Sequence, residues 1–268
     1  MARKGRRTLQ ERLSLLRAVL IFAAIAALIY AVACLALFLA QRSFIYFPQP
    51  KSVIDIGPPL TLNVNGEHLV VSTGAITGAD AVIYFGGNGE DVRRSVPAIE
   101  KAFPDRSLYA MNYRGYGGST GKPTEAHLIA DALALFDRVR TDHPKIIVIG
   151  RSLGSGVAIH LASERPVERL ILITPYNSIL EIAADQLPFF PIRWLLLDKF
   201  ESWRYAPKIT VPTHLIAAQN DEVIPTSSTA ALYKAFPQSL ATLTVIPGVW
   251  HNTISESPEY IPLLRTTP

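Results

Sequence analysis

Cysteine is almost missing from this 268-residue chain, which holds only Cys34. A single cysteine forms no disulfide within a chain, and no cluster of cysteines and histidines has the spacing of a metal site. A globular part of this size needs no disulfide, because its core is large enough. We therefore expect no metal, and nothing else in the sequence implies a cofactor. Cys34 lies in an apolar run, where we expect a small lipid-facing residue.

Charge is scarce beyond the N-terminus, since Asp, Glu, Lys and Arg make up 18% of the chain. Residues 1–17 contain six basic residues and one acidic residue, a charge of +5, so the rest carries −1 of the net +4. The basic residues are Arg3, Lys4, Arg6, Arg7, Arg12 and Arg17. The pI near 9.2 is therefore due to the basic residues of this N-terminal stub, and we expect no nucleic-acid partner.

Residues 18–40 form an apolar run of 23 residues without a charge. As a helix the run would measure about 35 Å, enough to cross a hydrocarbon layer of about 30 Å. A signal peptide is the competing interpretation, but its apolar part is usually about 7–15 residues. The sequence favours an uncleaved transmembrane helix over 18–40. The basic stub, 1–17, would then be cytoplasmic and residues 41–268 exported, periplasmic if the source is bacterial.

Beyond the run, apolar strand-like segments alternate with helical patterns. A hairpin over 60–72 precedes predicted strands at 81–87, 107–114, 145–150, 169–175, 213–219 and 241–247. The intervening helices are predicted at 91–103, 124–140, 153–163, 226–236 and 257–265, and residues 176–207 read as irregular. This alternation predicts an α/β fold with a mostly parallel sheet, whose sites gather at the carboxyl ends of the strands.

"GRSLG", residues 150–154, follows a predicted strand and precedes a predicted helix. It matches G-x-S-x-G, in which a strained turn lifts the serine hydroxyl clear of the sheet and glycines allow close approach. We predict that Ser152 is a nucleophile and that the Leu153 N–H stabilises an oxyanion. An ordinary glycine-rich turn is the alternative.

A serine nucleophile needs a base, and in this motif the chain order is serine, acid, histidine. Three histidines follow Ser152. His160 lies two turns along the next helix, and His214 begins a strand at the wrong end of the sheet. His251 follows the last strand, so we predict that it is the base.

Asp221 follows the strand at 213–219, which predicts that it is the acid orienting His251. Glu222 is adjacent and could substitute on geometry. Asp198 is a weaker rival, expected to pair with Arg193 or Lys199 instead.

The loop "GGNGE", residues 86–90, is the expected source of a second oxyanion donor. We predict the Asn88 N–H, with Gly89 as the alternative and an ordinary glycine turn as the non-functional reading. "GGSTGKP" at 117–123 fails as a phosphate loop, because Tyr116 stands at its first glycine position and Pro123 replaces serine or threonine.

Together, "IYFGGNGED", "NYRGYGGSTGKPTE", "IGRSLGSGVA", "TPYNSILEIAADQLPFFPIRWLLLDKFES" and "NDEVIP…GVWHN" resemble the membrane-anchored α/β-hydrolase-domain serine hydrolases. That family includes lysophospholipid hydrolases and protein depalmitoylases. The resemblance covers about 42–255. It implies an α/β-hydrolase fold, a triad of Ser152, Asp221 and His251, and a small helical cap near 176–207. Gly86 departs from the family's usual His-Gly-Asn, and no N-terminal cysteine cluster is present.

The predicted function is therefore hydrolysis of a carboxylic ester or thioester through an acyl-enzyme. An apolar site beside a bilayer would favour lipid-like esters, and residues 187–197 either line an acyl pocket or pack on the sheet. A peptidase or amidase on the same triad is the first alternative. A non-catalytic, membrane-tethered interaction domain is the second.

Overall fold

The computed structural model describes residues 9–54, 56–74 and 78–267. Within these ranges eight strands form one sheet: β1 (Leu60–Val64), β2 (Glu67–Thr73), β3 (Asp80–Phe85), β4 (Arg106–Met111), β5 (Ile146–Arg151), β6 (Arg169–Ile173), β7 (Thr213–Ala218) and β8 (Ala241–Ile246). The helices in these ranges are α1 (Leu9–Ile45), α2 (Val96–Ala102), α3 (Glu125–Arg140), α4 (Leu153–Glu164), α5 (Ile179–Gln186), α6 (Ile192–Leu195), α7 (Thr226–Ala235) and α8 (Tyr260–Arg265).

The strand order across the sheet is β1-β2-β4-β3-β5-β6-β7-β8. β1 and β2 form the predicted hairpin, with Asn65 and Gly66 both at positive φ as a tight Asn-Gly turn requires. β2 also pairs antiparallel with β4, and all remaining pairs are parallel. The predicted mostly parallel sheet is therefore confirmed. Its parallel strands end along one edge, where loops after β3, β5, β7 and β8 meet.

The central strands are buried along their length, which shows that both faces of the sheet are covered. Alternate residues of β3 enter different cores: Ile83 packs with residues of α3 and α4, whereas Tyr84 packs with residues of α2 and α8. The sequences of these strands are therefore continuous apolar runs, without the alternation of apolar and polar residues that marks a half-exposed sheet.

Two segments differ from the sequence prediction. The helix predicted over 91–103 divides into a 3₁₀ turn, Val92–Arg94, and α2, which carries Pro97 in its first turn where a proline costs no hydrogen bond. Residues 176–207 are not irregular, since they contain α5, α6, a 3₁₀ turn at Ser202–Arg204 and the start of another at Ala206–Lys208. The Ser178 hydroxyl accepts a hydrogen bond from the Glu181 N–H at the start of α5, a capping signal present in the sequence.

α1 is a continuous helix of 37 residues that runs through the predicted boundary at residue 40. In the described part of the chain, Gln10–Ile45 is long and apolar enough to cross a membrane, and a signal sequence near the N-terminus would meet the same criterion. Most side chains of α1 are exposed, with Leu39 73% and Phe22 74% exposed. Cys34 is partly buried, so it does not face outward as fully as the sequence suggested.

Candidate active site

A sharp bend at Ser152 joins β5 to α4. Ser152 has φ +48° and ψ −119°, a conformation that costs energy for any residue with a side chain. The Ser152 N–H donates to the Ile173 carbonyl at 2.9 Å, and the Ser152 carbonyl accepts from the Ser155 N–H at 2.8 Å. These bonds hold the strained turn, so the serine hydroxyl projects from the end of the sheet.

The glycines on either side of Ser152 are required by close contacts with backbone. A Cβ on Gly154 would lie 2.7 Å from the Gly86 carbonyl oxygen and closer still to that of Phe85. A Cβ on Gly150 would meet the Gly154 carbonyl and lie 2.7 Å from the Ala158 Cβ. Because real Cβ atoms do not approach backbone this closely, only glycine fits at both positions without a backbone shift.

Replacing Gly154 with alanine should therefore destabilise the fold by about 2 kcal/mol or more, since the added methyl group overpacks rigid backbone. Gly89→Ala is a matched control, because its new Cβ would lie 3.7 Å from the nearest atom, the Phe47 Cβ. We expect the urea midpoint to fall for Gly154→Ala and to stay near wild type for Gly89→Ala. Equal midpoints for the two variants would mean that close packing does not explain this glycine.

The structure brings Ser152, His251 and Asp221 together. The His251 Nε2 lies 3.1 Å from the Ser152 Oγ, and the His251 Nδ1 lies 2.9 Å from each carboxylate oxygen of Asp221. Since a carboxylate only accepts, Nδ1 carries the proton and Nε2 accepts from the serine hydroxyl. The Asp221 Oδ1 also accepts the N–H groups of Val223 and Ile224, at 3.0 and 2.7 Å, which fixes the carboxylate.

Glu222, the alternative acid, contacts the backbone of His251 and not its ring. The Glu222 Oε2 accepts the His251 N–H at 3.1 Å. Glu222 therefore positions the loop that carries the histidine.

Asp198 lies elsewhere, and its expected pairing with Arg193 or Lys199 is wrong. Its carboxylate accepts from the Arg42 Nε at 3.0 Å and the Tyr46 hydroxyl at 3.1 Å. The last turn of α1 and the residue that follows it lie beside Asp198 and supply the two partners. Sequence spacing gave no sign of this contact.

His160 and His214 have structural partners away from Ser152. The His160 ring stacks on Tyr205 with centroids 4.1 Å apart, and its Nε2 lies 2.8 Å from the Glu164 carboxylate. The His214 Nδ1 donates to the Leu263 carbonyl, and its Nε2 accepts from the Thr244 hydroxyl. Burial is the largest influence on each ring and lowers the pKa of both.

The glycine-rich loop after β3 is held from three sides. The Glu90 carboxylate accepts the Gly87 N–H at 2.8 Å. The Tyr113 hydroxyl donates to the Gly86 carbonyl at 2.8 Å, and the Tyr116 hydroxyl donates to the Asn88 carbonyl at 2.6 Å. These bonds fix the loop although Gly86 has no side chain to contribute.

Burial raises the pKa of Tyr113 well above its ordinary value, and the charge of Glu90 raises it further. Burial also raises the pKa of Tyr116. Both phenols therefore stay protonated donors at neutral pH. Sequence reasoning missed these two residues, although "NYRGYGG" after a strand was among the motifs that carried the resemblance.

The two predicted oxyanion donors are backbone N–H groups of residues that line one cavity. Asn88 and Leu153 line the same cavity as Ser152. Leu153 is the first residue of α4, where backbone N–H groups have no partner within the helix. Among the described residues, the N–H groups of Asn88 and Leu153 donate to no protein acceptor, so both are available to a ligand.

The cavity above Ser152 has a volume of about 530 Å³, within the range typical of ligand pockets. Its walls come from α1, α5, α6 and the loop after β7. The apolar lining residues are Leu37, Phe44, Ile45, Leu153, Ile179, Ile182, Ala183, Leu187, Ile192, Leu195, Leu196, Val223 and Ile224. In the described residues no group of three or more His, Cys, Asp or Glu side chains could hold a metal ion.

Comparisons with known proteins place this geometry in a family. A family model described as "alpha/beta hydrolase fold" matches residues 85–195, and one described as "Serine aminopeptidase, S33" matches residues 192–258. An uncharacterised protein of Mycobacterium tuberculosis is 31% identical over 227 residues, which cover 79% of this chain and 80% of the relative. The chain belongs to the α/β-hydrolase family. The predicted family and fold are therefore confirmed, and the general activity of this α/β hydrolase is hydrolysis.

Other comparisons give the same family and fold. The α/β-hydrolase domain-containing protein aho-3 of Caenorhabditis elegans is 34% identical over 164 residues, covering 60% of this α/β hydrolase and 48% of that protein. An esterase of Pyrococcus furiosus has a TM-score of 0.63 at 19% identity, covering 80% of this chain and 94% of the esterase. Est1E of Butyrivibrio proteoclasticus, solved with ferulic acid, has a TM-score of 0.63 at 17% identity, with 77% and 94% covered. At these identities the two solved structures show a shared fold alone.

Proposed function

We propose that this α/β hydrolase cleaves carboxylic esters or thioesters through an acyl-enzyme on Ser152. The observation that carries the proposal is the pair of contacts from His251, 3.1 Å to the serine Oγ and 2.9 Å to the Asp221 carboxylate. A nucleophile, a base and an orienting acid within hydrogen-bond reach are the arrangement that acyl transfer needs. A non-catalytic interaction domain would have no use for the strained bend that presents Ser152.

In the proposed reaction the Ser152 Oγ attacks the substrate carbonyl carbon while its proton passes to the His251 Nε2. The carbonyl oxygen becomes an oxyanion, which accepts hydrogen bonds from the N–H groups of Leu153 and Asn88. The Asp221 carboxylate stabilises the imidazolium and keeps the proton on Nδ1.

The imidazolium then protonates the leaving alcohol or thiol, and the bond to the acyl carbon breaks. A water molecule gives a proton to His251 and attacks the acyl-enzyme in the second half of the reaction. The proton returns to Ser152 as the acid leaves.

The lining of the cavity supports an apolar acyl group as the bound part of the substrate. Residues of the segment 187–197, among them Leu187, Ile192 and Leu196, form part of its wall. We propose small-molecule or lipid-like acyl esters as substrates, since burying an apolar chain stabilises the complex by about 25 cal/mol per Å² of apolar surface.

We also propose that α1 anchors the protein in a membrane as a single-pass helix. The basic residues of 1–17 would keep that end cytoplasmic, with the hydrolase domain, 41–268, on the far side. A C-terminal reporter enzyme that is active only outside the cytoplasm should be active here. An inactive reporter on an expressed, folded fusion would show that the C-terminal domain is cytoplasmic, the opposite of the proposed orientation.

An aminopeptidase is the second candidate, because the family model over 192–258 carries that description. An aminopeptidase must bind a free, positively charged amino group. The described lining of the cavity contains no carboxylate to bind one. This favours esters over aminoacyl amides.

Parallel assays of p-nitrophenyl butyrate and an aminoacyl p-nitroanilide test the choice. We expect kcat/KM for the ester to exceed that for the amide by about a hundredfold or more, since no group in the cavity offsets desolvation of the amino group. A faster amide reaction that is lost in Ser152→Ala would assign the site to a peptidase.

A further inference from the structure

The end of α1 forms a wall of the cavity above Ser152. Leu37, Gln41, Phe44 and Ile45 all line this space. Leu37, Gln41 and Ile45 are four residues apart, a spacing that places them on one face of a helix. The opposite face stays open, with Leu39 73% exposed. A helix that served only as a tether would have no reason to present one face to the reaction site.

The cap, defined here as α5, α6 and the residues to 198, is bonded to the end of α1 through the last residue of α6 and the residues that follow it. The buried Gln41 side chain donates from Nε2 to the Leu195 carbonyl at 3.2 Å and accepts the Leu197 N–H at 2.7 Å. The next residue, Arg42, pairs with the buried Asp198 carboxylate at 3.0 Å. The cap and the end of α1 are therefore one unit.

The contact extends into the apolar run of α1. The Tyr30 hydroxyl donates to the Phe189 carbonyl at 2.9 Å, and its ring stacks on Phe190 with centroids 5.8 Å apart. Phe189 and Trp194 nevertheless point outward, each 86% exposed. Large exposed apolar side chains beside an apolar helix suit contact with lipid chains better than contact with water.

The order of the lining residues along α1 shows which end of the cavity lies near the oxyanion loop. The Phe47 N–H donates to the Asn88 carbonyl at 3.0 Å, so the end of the helix meets the oxyanion loop. Leu37 precedes Ile45 by two turns, about 12 Å at 1.5 Å per residue. Leu37 therefore lines the part of the cavity far from Asn88 and close to the lipid-exposed run.

We propose that α1 is a specificity-determining wall of the acyl site, and that the occupant is the long acyl chain of a membrane lipid ester. This inference rests on the proposed function. The carbonyl carbon lies at Ser152, and the chain extends along α1 toward Leu37, between the helix and the cap. The anchor then sets the length of the chain that the site accepts.

The test compares two alkyl fluorophosphonates, one ethyl and one dodecyl, on the full-length protein in phosphatidylcholine vesicles. Leu37→Trp fills the far end of the cavity, and we expect it to lower the dodecyl-to-ethyl ratio of labelling rates about tenfold or more. Leu39→Trp, two residues away on the exposed face, should keep that ratio within about twofold. Leu37→Ala enlarges the same end of the cavity, so we expect it to raise the labelling rate of a hexadecyl probe relative to that of the dodecyl probe.

Each outcome bears on a different claim. An unchanged ratio in Leu37→Trp and in Leu37→Ala overturns the role of α1 while leaving the proposed function intact. A wild-type protein that reacts with the ethyl probe and not with the dodecyl probe overturns the long-chain substrate. A wild-type protein that reacts with neither overturns the proposed function, and this inference with it.

Discussion

Ser152→Ala should lower kcat/KM for a p-nitrophenyl ester by about 10⁴-fold or more and abolish fluorophosphonate labelling. The Ser152 Oγ is the only atom of the three-residue arrangement that forms a bond to the substrate in the proposed reaction. Its loss leaves His251 and Asp221 with nothing to activate. Rates of ester hydrolysis and gel-based labelling measure the two effects.

Ser163→Ala is the matched control, because Ser163 lies on the same helix and its hydroxyl donates to the His160 carbonyl at 2.7 Å. We expect wild-type activity from this variant. Labelling that persists at the wild-type rate in Ser152→Ala would assign the nucleophile to another residue.

Asp221→Asn should lower kcat/KM by about 10³- to 10⁴-fold with little change in stability. An asparagine amide can donate to the His251 Nδ1, which favours the tautomer whose Nε2 cannot take the serine proton. The amide also removes the charge that stabilises the imidazolium. Steady-state kinetics measure the loss, and the urea midpoint reports whether the fold is retained.

Glu222→Gln separates the two adjacent acids. Among the described residues its carboxylate accepts the His251 backbone N–H and contacts no atom of the ring, so we expect a loss of about tenfold or less. A variant Glu222→Gln that is more impaired than Asp221→Asn would make Glu222 the orienting acid.

Local sequence patterns were enough to predict the sheet and the bend. Buried parallel strands are continuous apolar runs, and the glycines around Ser152 are where backbone from β3 and α4 approaches. The placement of Asp221 and His251 after the last two strands followed from the rule that sites gather at the carboxyl ends of parallel strands.

Contacts between distant segments could not be predicted in the same way. Asp198 pairs with Arg42 across 156 residues of sequence, and Tyr116 bonds Asn88 across 28. No periodicity or residue spacing links the two members of either pair. The cap helices α5 and α6 have only eight and four residues. In α6, Ile192 and Leu195 line the cavity whereas Trp194 is exposed, so no one-sided apolar stripe marks this helix.

The central claim is that the hydroxyl at the bend between β5 and α4 attacks the substrate carbonyl. Mass spectrometry of peptides from the wild-type protein, after reaction with a fluorophosphonate, tests it most directly. We expect one stoichiometric adduct, on Ser152. An adduct on any other residue, or a folded protein that forms none, would contradict the account.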